Sequence, residues 1–165
     1  MARAGFSYEI AKKIIEKVKK ETGIFLEIIS PQEEAKLALS GCSALIDPNL
    51  KYTIVFDIGG GSTEVIFVSS DGQGRFRIND FISMPFGVVT VSEDCGGGDL
   101  TNKSYQEILG KVKSTLLEFD QKNDISKRIS SKQIQMIGVS GTVTTLGGLN
   151  LNLMKYDRKL VDGSK

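Results

Sequence analysis

Tyr52-Thr53-Ile54-Val55-Phe56-Asp57-Ile58-Gly59-Gly60-Gly61-Ser62-Thr63-Glu64-Val65-Ile66-Phe67-Val68 is the stretch on which the reading of this chain turns. Two apolar, β-branched runs flank a polar, glycine-rich centre, the pattern of two buried strands joined by a turn. Asp57 ends the first run, Glu64 opens the second, and three glycines, Ser62 and Thr63 lie between them. Consecutive glycines let bare backbone N–H groups surround an anion, because no Cβ stands in the way. Ser62 and Thr63 can add hydroxyl donors, whereas Asp57 and Glu64 would repel a phosphate unless a cation sat between them. A plain hairpin needs one or two glycines, not three bracketed by acids. The stretch predicts a metal-assisted phosphate site.

Downstream, Asp71-Gly72-Gln73-Gly74 is a turn signal, and a third strand is predicted from about Arg75 to Met84, completing an antiparallel three-strand meander. Pro85-Phe86-Gly87 breaks it, and Cys95-Gly96-Gly97-Gly98-Asp99 reads as a mobile loop. Ser104 and Glu107 suit a capping box for a helix with Tyr105, Ile108, Leu109, Val112, Leu116 and Phe119 on one core-facing stripe. Ile134 to Val139 is a further strand, and a helix follows along Leu146, Leu149 and Leu153.

Upstream, Ser7 can cap a helix to about Glu21 with Ala11, Ile14, Ile15 and Val18 on one face and Gly23 as its stop. Its five lysines form a solvated face. Ile24 to Ile29 is predicted as a short strand. Ser30-Pro31-Gln32-Glu33 then spells a helix start, with Ser30 as N-cap, Pro31 at the first helical position and Glu33 closing a capping box. Glu33 is thereby given a structural task, whereas its neighbour Glu34 has none that the sequence reveals.

A second turn, Gly138-Val139-Ser140-Gly141-Thr142, joins a strand to a helix and aims helix N–H groups outward, where an anion is favoured. It is neither a Walker A loop nor a dinucleotide fingerprint. Taken alone it fits an anion site or a plain helix start with Thr142 as N-cap. Paired with the first turn it gains force, since two glycine turns can hold one phosphate chain from two sides.

At 165 residues the chain allows one domain with a real core. A net charge of +1 advertises no nucleic-acid or membrane surface, and no apolar run has the length of a membrane span. Cys42 and Cys95 show no metal-ligand spacing, so reduced thiols and a cytoplasmic location are expected. The chain has no histidine. That removes Ser-His-Asp and Cys-His catalysis and most zinc chemistry, leaving carboxylates, Lys, Tyr or water for proton transfer. Any metal would be a hard, oxygen-ligated ion such as Mg²⁺.

The order strand, strand, strand, helix, strand, helix, with glycine turns at the first turn and the last strand–helix junction, resembles an RNase H-like α/β lobe. Two such lobes build the proteins of the actin, Hsp70 and sugar-kinase superfamily. Within it, the sequence resembles the exopolyphosphatase/guanosine pentaphosphate phosphohydrolase (Ppx/GppA) family. Asp57 to Glu64 matches the family's D-I-G-G-G-S-T-E motif residue for residue. Ile28 to Leu37 is similar to its E-E-A-R-L segment, and Gly138 to Leu151 to its G-x-x-G-T-x-T-T-L stretch. Ser83-Met84-Pro85-Phe86-Gly87-Val88-Val89 resembles its S-L-P-x-G segment.

That resemblance implies hydrolysis of terminal phosphoanhydride bonds in inorganic polyphosphate, guanosine pentaphosphate or both. It implies Glu34 as the carboxylate that activates water, and Asp57 and Glu64 as the acids that organise Mg²⁺ and phosphate. Gly59, Gly60, Gly61, Ser62 and Thr63, with Ser140, Gly141 and Thr142, match the phosphate-binding turns. The match is to the second lobe: residues 1–30 read as the remnant of a first lobe and its connector, and 31–165 as a second lobe truncated at its C-terminus. The family's phosphate-gripping Arg would fall nearest Ala2, one position before Arg3. Such a chain is expected to be a partial enzyme, nearly inactive alone, working with a separately encoded first lobe or pairing as a homodimer through its exposed apolar face. A phosphate- or nucleotide-binding lobe without catalysis, and an inert fragment of a split gene, are the alternatives.

Overall fold

The computed structural model describes residues 8–97 and 100–164. Ala2, Arg3, the Ser7 cap, and Gly98 and Asp99 of the second glycine run lie outside them. Seven helices and four strands are found among the described residues: α1 (Tyr8–Thr22), α2 (Pro31–Cys42), β1 (Tyr52–Ile58), β2 (Thr63–Ser70), β3 (Phe76–Met84), α3 (Val88–Asp94), α4 (Asn102–Asn123), α5 (Ile125–Ser130), β4 (Ile134–Val139), α6 (Ser140–Asn150) and α7 (Arg158–Val161).

The strands form one mixed sheet in the order β3-β2-β1-β4. β1, β2 and β3 make the antiparallel meander, and β4 lies parallel to β1 on its other side. This is the predicted RNase H-like arrangement. In the ladder Asp57 stands opposite Glu64, and Glu64 opposite Ser83. Residues directly opposite in a ladder share a face. Asp57, Glu64 and Ser83 therefore end the face that also carries Val55, Ile66 and Ile137.

Each face has its own core. Ala35, Leu39 and Cys42 of α2 pack with Ile46, Val55, Ile66 and Val68 on one side. Ile54, Val65, Phe67 and Met84 pack with Phe119 of α4 and Ile125 of α5 on the other. Burial raises the Cys42 thiol above its ordinary value, and both cysteines are free. α2 packs on the face that carries Val55 and Ile66. The chain just past it is tied to the start of β4, where the Asp47 N–H donates to Gln135 Oε1 and Gln135 Nε2 donates to the Asp47 carbonyl.

Several expectations are corrected. Ile24 to Ile29 forms no strand. The four strands of the sheet pair only with one another, and an apolar run with no ladder partner does not make a strand. Phe25 is 73% exposed, with Lys19 Nζ 4.6 Å above its ring. The cap of α4 is Thr101, whose hydroxyl accepts from the Ser104 N–H; Glu107 instead pairs with Lys103, one turn away. Of the α4 stripe, Val112 and Phe119 reach the core, while Tyr105 and Leu116 stay exposed. Leu146 and Leu149 of α6 also face outward. Cys95 to Gly97 is a hydrogen-bonded helix end, with Gly96 and Gly97 at positive φ, rather than a loose loop. Helices α3, α5 and α7 were not foreseen. No helix among the described residues is long and apolar enough to cross a membrane.

Candidate functional site

The predicted site residues gather at the carboxyl ends of β1 and β4. Asp57 and Glu64 are cross-strand neighbours on the last rungs of β1 and β2. Glu64 is only 6% exposed, and Ser83 Oγ donates to its Oε1 at 2.6 Å. No Lys or Arg forms an ion pair with either carboxylate among the described residues. Two adjacent carboxylates, one buried, with no ion-pair partner among the described residues, could hold a hard divalent ion. No third His, Cys, Asp or Glu joins them in a metal-binding group among the described residues. Mg²⁺ tolerates this, since it usually keeps several waters and takes one or two carboxylates plus phosphate oxygens.

The glycine turn closes on itself, the Gly59 N–H donating to the Ser62 carbonyl at 3.0 Å. Its remaining carbonyls are claimed from outside. Val88 N–H donates to Gly59, and Val89 and Thr90 N–H donate to Gly60. The Ile58 carbonyl accepts from Ser140 Oγ at 3.1 Å and Thr142 Oγ1 at 2.8 Å. The two turns are thus hydrogen-bonded to each other. The hydroxyl protons of Ser140 and Thr142 are given to Ile58, and that of Thr63 to the Phe86 carbonyl at 2.6 Å. Ser62 Oγ makes no hydrogen bond among the described residues.

The second turn has no spacer: α6 begins at Ser140, immediately after β4, with Val139 as its N-cap. Ser140 takes φ 70°, the left-handed region uncommon for residues other than Gly. Thr142 therefore braces Ile58 from inside the helix rather than capping it. Gly138 is needed for packing, since a Cβ there would lie 2.5 Å from Val143 Cγ1 and 2.7 Å from the Phe56 ring. Gly141 has nothing within 4 Å of its Cβ position and opens on a groove of about 450 Å³.

Glu33 closes the predicted capping box. The Glu33 carboxylate accepts from Ser30 N–H and Oγ, each at 2.9 Å, and returns the Ser30 side chain as cap to its own N–H. Those two hydrogen bonds hold the Glu33 carboxyl below its ordinary range. Glu34 is exposed in the same first turn of α2. Two participants escaped sequence reasoning. Ser83 faces Glu64 across the ladder, and Gly87 abuts the glycine turn; both lie in the Ser83–Val89 segment, where the resemblance alone was the signal.

The mixed sheet, with two glycine turns and an acid pair at its strand ends, has the architecture of a lobe of the actin-like ATPase fold. Residues 9–159 match the model of the Ppx/GppA phosphatase family, and the chain belongs to that family. It is 34% identical over 151 residues to the bifunctional 3-dehydroquinate synthase/phosphatase of Fusobacterium nucleatum, covering 89% of this chain and 21% of that protein. Among solved structures it is similar to the Aquifex aeolicus Ppx/GppA family member (28% identity, TM-score 0.62, 92% of this chain and 44% of that one). It is also similar to an exopolyphosphatase-like protein (27% identity, TM-score 0.74, 91% and 46%). The chain spans under half the length of these solved relatives and about a fifth of the bifunctional one.

Proposed function

We propose that this chain forms one wall of a site that hydrolyses terminal phosphoanhydride bonds of inorganic polyphosphate or guanosine pentaphosphate. The observation that carries the reading is the Asp57–Glu64 pair. Two acids sit side by side at a glycine turn, one of them buried, with no Lys or Arg paired to them among the described residues. Asp57 and Glu64 would hold Mg²⁺, which when bound neutralises charge on the phosphates and on the leaving oxygen. The N–H groups of Gly60 and Gly61, with Ser62 Oγ and the start of α6, grip the phosphoryl oxygens. Glu34 takes the proton from the attacking water.

Phosphoryl transfer requires water, phosphorus and leaving oxygen in line, so the protein mainly positions groups and balances charge. One wall cannot enforce that alignment, and orientation of this kind is worth about 7–11 kcal/mol. A second lobe supplies the opposite wall, either encoded separately or as part of a longer chain. The free thiols fit a reducing, cytoplasmic setting.

A second reading, a lobe that binds phosphate without hydrolysis, is favoured by one observation: Glu34 does not join Asp57 and Glu64 in a single carboxylate cluster. The deciding assay is phosphate release from polyphosphate and from guanosine pentaphosphate with Mg²⁺, by this chain alone and with a first lobe of the family. Little turnover alone and robust turnover together are expected. Tight binding with no turnover in either setting favours the second reading.

A further inference from the structure

We propose that Gly87 is a positioning residue for the glycine turn: it lets Pro85–Thr90 clasp the turn so that the N–H groups of Gly60 and Gly61 face the phosphate. This rests on the phosphate reading above and adds a part that neither the motif nor the family match assigns.

The clasp is built from backbone. Val88 N–H donates to the Gly59 carbonyl at 3.0 Å, and Val89 and Thr90 N–H donate to the Gly60 carbonyl at 2.9 and 3.1 Å. The peptide bonds of the described residues are trans, so a carbonyl and the N–H of the next residue point in opposite directions. Pulling the Gly59 and Gly60 carbonyls toward α3 therefore turns the Gly60 and Gly61 N–H groups away from it. Neither N–H donates to a backbone carbonyl among the described residues. Side chains lock the clasp at both ends. Thr63 Oγ1 donates to the Phe86 carbonyl, and Thr90 Oγ1 accepts from the Gly87 N–H at 2.8 Å.

Gly87 is the point of closest approach. A Cβ there would overlap the Gly60 carbonyl and lie 2.6 Å from the Gly61 nitrogen. Its backbone (φ −128°, ψ 171°) is ordinary extended structure that alanine adopts freely. Gly87→Ala is thus a clean probe, since only the contact with the turn changes. Gly60 is tight from the other side, its Cβ position 3.3 Å from Val89 Cγ2. A methyl at residue 87 has no slack to use.

The test uses the 165-residue chain with Mg²⁺ and pyrophosphate as the probe. In the wild type, amide exchange should show Val88, Val89 and Thr90 protected and Gly60 and Gly61 exchanging freely. The two glycine amide resonances should then move on titration with pyrophosphate. Gly87→Ala should lose protection at 88–90 and bind pyrophosphate roughly tenfold to a hundredfold more weakly, the scale of charge-assisted hydrogen bonds misaimed. Thr90→Val should weaken binding in the same direction and Thr90→Ser should restore it. That pair decides the matter if Gly87→Ala fails to fold. Gly87→Ala binding within twofold of the wild type, or Thr90→Val binding like Thr90→Ser, overturns the proposal. A wild type that keeps protection at 88–90 but binds no pyrophosphate places the failure in the phosphate reading itself, and this inference falls with it.

Discussion

The turn after β1 and the turn after β4 lie side by side at one end of the sheet, yet their glycines answer different demands. In the first turn the neighbours crowd in. Val89 presses on Gly60, Gly87 abuts Gly60 and Gly61, and the carbonyls of Ile58, Gly59 and Gly60 are each held by a donor from another segment. In the second turn, Gly138 is hemmed in by Phe56 and Val143, but Gly141 borders open space. Glycines of the first kind serve the shape of the protein and through it the aim of the N–H groups. A glycine with room to spare serves whatever comes to occupy that room. Four substitutions break or sharpen this distinction.

The largest effect should come from a group in neither turn. If the turns bind and Glu34 activates water, Glu34→Gln in an active two-lobe assembly should cut turnover about a hundredfold or more, the usual scale for a general base. Pyrophosphate affinity should hardly move. Near-normal turnover would return the proton transfer to some other group.

Gly138→Ala tests crowding in the second turn. The added methyl meets Val143 and Phe56 well inside van der Waals contact, and overpacking of this kind costs about 2–3 kcal/mol. Denaturant unfolding should show that loss with an unchanged m-value. A neutral substitution would mean that β4 and α6 can move apart, and with them the two turns.

Asp80 supplies a contrast to Glu64 from the opposite face of the sheet. It accepts from Asn123 Nδ2 and pairs with Lys122 Nζ, both at 2.8 Å, whereas Glu64 has a hydroxyl and no cation. Burial pushes the Asp80 carboxyl up, but Asn123 and Lys122 outweigh it and hold it below its ordinary value. A depressed carboxyl stabilises the fold fully above its unfolded value, about 3.9, and the contribution fades as pH falls toward the folded value. Asp80→Asn should cost about 1–2 kcal/mol at neutral pH. The gap from wild type should close on acidification through that window. A gap independent of pH would show that shape, not charge, makes the contact.

What could be read in advance divides along the same line. The β1–β2 turn and the Ser30–Glu33 capping box were legible because each is settled within a few residues. The structural task of Glu33 followed from that local geometry alone. Ile24 to Ile29 misled because a strand needs a partner in a ladder, which apolar composition does not report. Ser104 looked like a cap, but Thr101 stands three residues earlier and takes the Ser104 N–H itself. Gly87 and Ser83 stayed hidden because their partners, Gly60 and Glu64, are distant in sequence and meet them only in the folded sheet.

Gly141→Ala is the smallest and most pointed test. Gly141 is the second residue of α6, its φ is not positive, and its carbonyl takes the hydroxyls of Thr144 and Thr145. None of these is disturbed by a methyl group, which would project into open space. Alanine is the better helix former, and near a helix end the gain is roughly 0.5 kcal/mol. Thermal unfolding should therefore shift slightly upward, while pyrophosphate affinity falls severalfold because the methyl stands where an oxygen would approach the start of the helix. Stability and affinity moving in opposite directions would mark Gly141 as a residue kept for the ligand. If stability rises and affinity is unchanged, no phosphate comes near residue 141. The second turn would then be a brace on Ile58, leaving the first turn to hold the anion alone.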